Sequence, residues 1–224
     1  MIRNAAMLLW YDIVAEQVAE HDEWHTREHF PERVGIPGFL TAQRWVAQGA
    51  TTPRYLVTYE VDHVGTLTSA AYRVRLDNPS EWTRRMMPHF RGMVRGFCEV
   101  THRIGSVVGG NVLTIRYVAR PQHRASLARW IGDECLPRVA QLRGFASACT
   151  LVAAATPPMT EEQALRGRDI AVDSVVLVST HAAAPLDELQ DRLLAPRELE
   201  TRGADDGIAC GRYRFACRAD SPGA

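Results

Sequence analysis

Apolar positions along this chain fall into two kinds of pattern that alternate with each other. Residues 7–13, 38–48 and 54–61 are short runs rich in large apolar side chains, and each reads as a strand. Residues 16–34 instead carry apolar groups at helical spacing, with acidic residues near the start as a helix N-terminus prefers. Pro37-Gly38 ends that helix. Residues 64–76 read as a short helix or an irregular crossover. A further helix opens at Asn78-Pro79-Ser80, with Ser80 as its N-cap, and 94–103 closes the series as a strand. The second half repeats the order: a strand at 112–119, a helix at 122–140, strands at 145–152 and 170–179, a helix near 186–195 and a strand at 208–217. Between them, 155–168 is a long polar stretch suited to a mobile loop or a lid.

A β-α-β-β-α-β unit predicts a four-stranded antiparallel sheet with both helices on one face. Tyr55, Val57, Tyr59 and Val61 alternate, and they are read as the apolar side of the face left open by the helices. Two such sheets can bury their open faces against each other. Internal comparison supports two copies. A shift of 106 residues superposes 24–47 on 130–153 without a gap and pairs Trp24 with Trp130, Glu28 with Glu134, Pro31 with Pro137, Gly38 with Gly144, Phe39 with Phe145, Ala42 with Ala148, Val46 with Val152 and Ala47 with Ala153. The expected organisation is a repeat over 1–104, a linker over 105–110 and a second repeat over 111–224. The linker glycines, Gly105, Gly109 and Gly110, are read as a flexible joint, since no phosphate-binding lysine follows them. The expected fold is α+β: two tandem ferredoxin-like units whose antiparallel sheets pack face to face.

That pattern is similar to the dimeric α/β barrel superfamily of ferredoxin-like proteins, here formed within one chain. Residues 24–39 resemble the signature of EthD-like proteins and of a related bacterial family of unknown function. The shared features are a His-x-Pro element in the helix, His29-Phe30-Pro31, and a Pro-Gly-Phe entry to the next strand, Pro37-Gly38-Phe39. Residues 80–90 resemble the second-helix signature of that bacterial family. The superfamily includes monooxygenases, haem-degrading enzymes, isomerases, cyclases and proteins with no known activity, so the resemblance implies a fold and leaves the chemistry to the site. It covers most of the first repeat, and only framework residues persist in the second.

Composition narrows the chemistry. All 26 basic residues are arginine and none is lysine, which excludes Schiff-base enzymes, a P-loop nucleotide hydrolase and a lysine general base. The basic residues are balanced by 26 acidic ones, which argues against a nucleic-acid partner. The apolar runs are too short to cross a membrane, the N-terminus does not read as a secretory signal, and five cysteines without a CxxC pair argue against a disulfide framework or a structural zinc site. A cytoplasmic protein is expected.

The histidines carry the candidate chemistry. His21, His25 and His29 lie at i, i+4 and i+8 and share one helix stripe. His25-Thr-Arg-Glu28-His29 also spells an inverted zinc-protease motif, but no third ligand stands out and Pro31 follows directly, so no metal is expected. His21 is read as solvated, and Arg27 and Arg33 as surface residues. His29 is the leading catalytic candidate, because the second repeat keeps the surrounding Trp, Pro, Gly and Phe but has Cys135 in its place. His89 is the second. Trp10, Tyr11, Arg44, Tyr59 and Trp82 are candidates to bind a small organic molecule, with Arg44 able to clamp a carboxylate or phenolate. Glu28 and Pro31 are read as structural residues at the site. The expected function is cofactor-independent chemistry on a small hydrophobic, oxygenated compound. One alternative is a small-molecule or haem carrier with His29 as the axial ligand, and another is a structural module without a pocket. One chain suffices for a barrel, and further homodimerisation is compatible with it.

Overall fold

The computed structural model describes residues 2–154 and 159–222. The first half runs β1 (Ala5–Ile13), α1 (Val18–Trp24), α2 (Phe30–Val34), β2 (Phe39–Ala47), β3 (Tyr55–Val61), α3 (Ala70–Asp77), α4 (Glu81–Met86) and β4 (Phe90–Gly105). The second runs β5 (Asn111–Tyr117), α5 (Arg124–Arg129), α6 (Leu136–Val139), β6 (Phe145–Ala153), α7 (Glu161–Arg166), β7 (Ile170–Ala171), β8 (Ser174–Thr180), α8 (Pro185–Glu188), α9 (Pro196–Thr201) and β9 (Ala209–Asp220). Eight strands close a barrel in the order β1-β3-β2-β9-β5-β8-β6-β4, and β4 returns to β1. Every pairing in that ring is antiparallel.

Each half supplies four adjacent strands, and two joints link the halves, β2 with β9 and β4 with β6. Closure leaves no unpaired edge in the ring. It also explains the length of β4. Residues 90–99 pair with β1, residues 98–105 pair with β6, and the strand therefore runs past the expected 94–103 at both ends. The single strand expected over 170–179 is broken instead. Ile170–Ala171 adds in parallel to β4, and only Ser174–Thr180 enters the ring.

Pleating divides the apolar residues into three cores. Along β1, Ala6, Leu8 and Trp10 fill the barrel interior together with Trp45, Leu56, Leu151, Leu177 and Tyr213. Ala5, Met7, Tyr11 and Ile13 face the helices of the first half. A separate cluster lies under the helices of the second half. The alternation of Tyr55, Val57, Tyr59 and Val61 is real, but those residues face the helices, and Leu56 between them lines the barrel. Both faces of β3 are covered, so the sequence period cannot say which face is which.

The helix expected over 16–34 opens with a 3₁₀ turn, Ala15–Gln17, and carries one irregularity in its interior. Residues His25–His29 make a π turn in which the Phe30 N–H bonds to the His25 carbonyl, five residues back. Pro31 explains it. Proline has no N–H to give and its ring crowds the carbonyl four residues earlier, so the turn widens ahead of it. Pro137 follows an equivalent π turn, Trp130–Cys135, in which Leu136 bonds back to Ile131. After each helix the chain turns through a glycine with positive φ, Gly38 at 89° and Gly144 at 95°. A Cβ on Gly38 would come within 2.7 Å of the Thr66 hydroxyl, so both conformation and space require glycine there.

Candidate functional site

In the first half a cavity lies between the helix-facing side of the sheet and the helices. β1 contributes Met7 and Tyr11, β3 contributes Val57 and Tyr59, and the α1–α2 run contributes Trp24, His25, His29 and Arg33. β4 contributes Phe90, Met93 and Arg95. The far wall is α7, which crosses from the second half and brings Glu162 and Arg166. The enclosed space is narrow, about 30 Å³, room for two or three waters at the roughly 10–15 Å³ each needs. Three methionines line it, Met7, Met87 and Met93, and their unbranched side chains repack readily.

The three histidines form a stack. Ring centres are 4.9 Å apart from His21 to His25 and 5.4 Å from His25 to His29, and Trp24 lies 4.3 Å from His29. All three are buried. His21 is therefore not solvated as expected. It lies one turn before Trp24 on the side that packs against the sheet, and burial is tolerated because both ring nitrogens are satisfied. Nε2 is 3.0 Å from the Tyr11 hydroxyl and Nδ1 is 3.1 Å from Asp22 Oδ1. His25 Nε2 is 3.3 Å from the Tyr59 hydroxyl. Among the described residues, Nδ1 of His25 and Nδ1 of His29 have no hydrogen-bond partner. Burial holds both imidazoles well below the usual histidine range. For His25 the neighbouring His21 and His29 add to this, and for His29 Arg33 does. They are neutral at pH 7. The same burial pushes the Tyr11 and Tyr59 phenols up.

Arg33 is the second departure from expectation. It is buried at 1% exposure and pairs with Glu162. Burial works against its charge, but Glu162, Tyr72 and Glu32 overcome that, and the guanidinium stays ionised. Arg95 Nε and Arg166 Nη2 each lie 2.9 Å from Asp169 Oδ2, and Arg95 donates to Gln163 Oε1 at 3.1 Å. These charges fix α7 over the cavity. No local signal marks Arg33 as buried, because its partner comes from the polar stretch 155–168. Of that stretch, 155–158 lie outside the described residues, and α7 with the residues after it forms the wall.

The other candidate residues separate. His29, Tyr11 and Tyr59 come together in the cavity. Trp10 points into the barrel, where its Nε1 donates to Thr114 Oγ1 at 3.3 Å. Arg44 lies beside Asp22, with Nη1 3.2 Å from both its Oδ1 and its main-chain oxygen. Trp82 and His89 line a different, outer groove with Glu16 and Glu20, and Trp82 Nε1 donates to Glu20 at 2.8 Å. Glu28 turns away from the histidines to accept from Ser80 Oγ at 2.5 Å, and Ser80 in turn caps α4 by accepting from the Thr83 N–H. The inverted zinc motif is therefore not assembled in space. Among the described residues no three His, Cys, Asp or Glu side chains gather as a metal group. In the second half the matching stripe is Leu127, Ile131 and Cys135, all buried, with Cys135 Sγ donating to the Leu193 carbonyl.

The ring of eight strands with helices packed outside it is the dimeric α/β barrel fold of ferredoxin-like units, and here one chain supplies every strand. Three solved structures with this fold illustrate the likeness. An anthrone oxidase-like protein matches with a TM-score of 0.72 at 11% identity, over 98% of this chain and 93% of its own. A protein from Fusobacterium nucleatum named for monooxygenase activity matches at 0.60 and 8%, over 98% and 95%. A haem-binding protein from Thermus thermophilus matches at 0.52 and 10%, over 97% and 92%. No family model and no curated protein matches the sequence. Among the described residues no helix is long and apolar enough to cross a membrane.

Proposed function

We propose that this chain is an EthD-like enzyme, built from two copies of one unit, that acts in the first-half cavity on a small hydrophobic, oxygenated compound without a cofactor. The observation that carries this is His29, a buried neutral imidazole facing the cavity whose Nδ1 no described residue engages. A side chain placed only for packing has no need of that nitrogen; a second-half counterpart, Cys135, fills the position without it. On this reading His29 accepts or delivers the substrate proton. The Tyr59 hydroxyl and the aromatic walls hold the ring, and Arg33 faces any oxygen that becomes anionic. The enclosed space is too small for a ring as it stands, so binding requires the methionines and α7 to shift. A haem is larger still and does not fit, and no step is assigned to one.

Anthrone with dissolved oxygen is the first substrate to try, since oxidation to anthraquinone and water begins with loss of one acidic C–H proton. His29→Ala and His29→Gln should each lower kcat/KM at least about 100-fold. Equal turnover by wild type and both variants removes His29 from the mechanism. The carrier reading predicts binding without turnover, and its haem form predicts a Soret band that His29→Ala abolishes.

A further inference from the structure

The Asp22–His21–Tyr11 chain lies beside the cavity, and nothing in the proposed role of His29 uses it. We propose that these three residues form a proton relay between the cavity and solvent. The inference rests on the reading of that cavity as the reaction site. Tyr11 lines the cavity from β1, and its hydroxyl is 3.0 Å from His21 Nε2. His21 Nδ1 is 3.1 Å from Asp22 Oδ1, and the Asp22 side chain is 37% exposed. The chain thus begins in the cavity, passes through a histidine with no exposure at all, and ends at water.

Its direction is set by Asp22. The same Oδ1 accepts from the Tyr55 hydroxyl at 2.9 Å and lies 3.2 Å from Arg44 Nη1. Partial burial alone would raise this carboxyl, but His21, Arg44 and Tyr55 outweigh it and hold the group below the usual range. An ionised carboxylate only accepts hydrogen bonds. His21 must therefore carry its proton on Nδ1, which leaves the Nε2 lone pair to accept from the Tyr11 hydroxyl. The neutral form of His21 is favoured by burial, with Asp22 opposing. The charged and titratable groups around it are Tyr11 from β1, Arg44 from β2, Tyr55 and the neighbouring Arg54 from the β3 side, and His25 and Asp22 from its own helical run; Phe90 from β4 adds an apolar edge.

The step balances as proton movement alone. A second substrate proton, distinct from the one His29 takes, passes to the Tyr11 oxygen as the Tyr11 proton passes to His21 Nε2. The resulting imidazolium is stabilised by Asp22, and its Nδ1 proton leaves through that carboxylate to water. Protonation of product runs the chain in reverse. The second half keeps the tyrosine, Tyr117, but has Leu127 and Ala128 where His21 and Asp22 stand. The strand tyrosine thus belongs to both halves, and the relay to one.

Two measurements that need no substrate decide the matter. Long-range ¹H–¹⁵N correlation at pH 7 should show His21 as the Nδ1–H tautomer. Exchange of the Tyr11 hydroxyl proton with water should slow at least about tenfold in Asp22→Asn and in His21→Leu, the residue the other half already packs. An Nε2–H tautomer, or exchange unchanged in both variants, overturns the relay. With anthrone, the same variants should lower kcat while KM stays within about twofold. Loss of turnover in His29→Ala alone, with slowed exchange in the Asp22 variant, would leave the relay intact but outside the rate-limiting step. Absence of any turnover in wild type, with the tautomer and exchange as expected, would reject the enzyme reading and not the relay.

Discussion

Arg33 at the end of α2 and Glu162 in α7 form a buried ion pair across 129 residues of sequence. The pair joins the two halves of the chain where α7 of the second half closes a cavity of the first. Both side chains are nearly inaccessible, at 1% and 7%. Such a pair adds little net stability relative to apolar packing, yet breaking it is costly, because a desolvated charge is left behind.

Glu162→Met should therefore destabilise the fold by about 3–5 kcal/mol, whereas Arg33→Met combined with Glu162→Met should cost much less than the two single changes added together. Urea unfolding of the four proteins gives the coupling directly. Additive costs would mean that the pair is not desolvated.

Stability should also fall on mild acidification. His21, His25 and His29 all have folded-state values below the unfolded one, chiefly through burial. As pH drops through about 6.5 the unfolded chain takes up protons while the folded imidazoles stay neutral. Stability is thus full above that pH and is lost below it, at about 1.4 kcal/mol per pH unit for each histidine. Urea midpoints at pH 7.5 and 5.5 measure the loss. His25→Leu should shrink it by one histidine's share, and an unchanged slope would mean that His25 is protonated in the fold.

Trp10 gives a control that separates barrel from cavity. Trp10→Phe removes the bond to Thr114 and weakens the contact of the ring with Arg116, 4.8 Å away, and should cost about 1–3 kcal/mol. The ring ¹⁵N signals of His25 and His29 should not move, because Trp10 lies on the opposite face of β1 from the cavity. A shift in those signals would show that the barrel core and the cavity respond together.

Much of this architecture was legible in the chain. The strand and helix order and the Ser80 cap follow from local pattern, because turn chemistry and capping act over a few residues, and the barrel fold is what the resemblance of that pattern to the dimeric α/β barrel superfamily implied. The histidine stripe was legible for the same reason, since spacing on one helix needs no tertiary information. The faces of β3 were not, because a strand covered on both sides has no polar side to report. His21 and Arg33 looked like surface residues, because a polar side chain is buried only when a partner meets it, and those partners lie on β1 and α7. What the sequence by itself determined is the order of strands and helices and the i, i+4, i+8 histidine stripe, which has Leu127, Ile131 and Cys135 at the matching positions of the second half. What only the tertiary structure decided is which polar groups share a dry space. Tyr11 and Tyr59 enter the cavity with His29, while Trp10, Trp82 and His89 stay outside it, because strand closure and the crossing of α7 set distances that no spacing along the chain encodes.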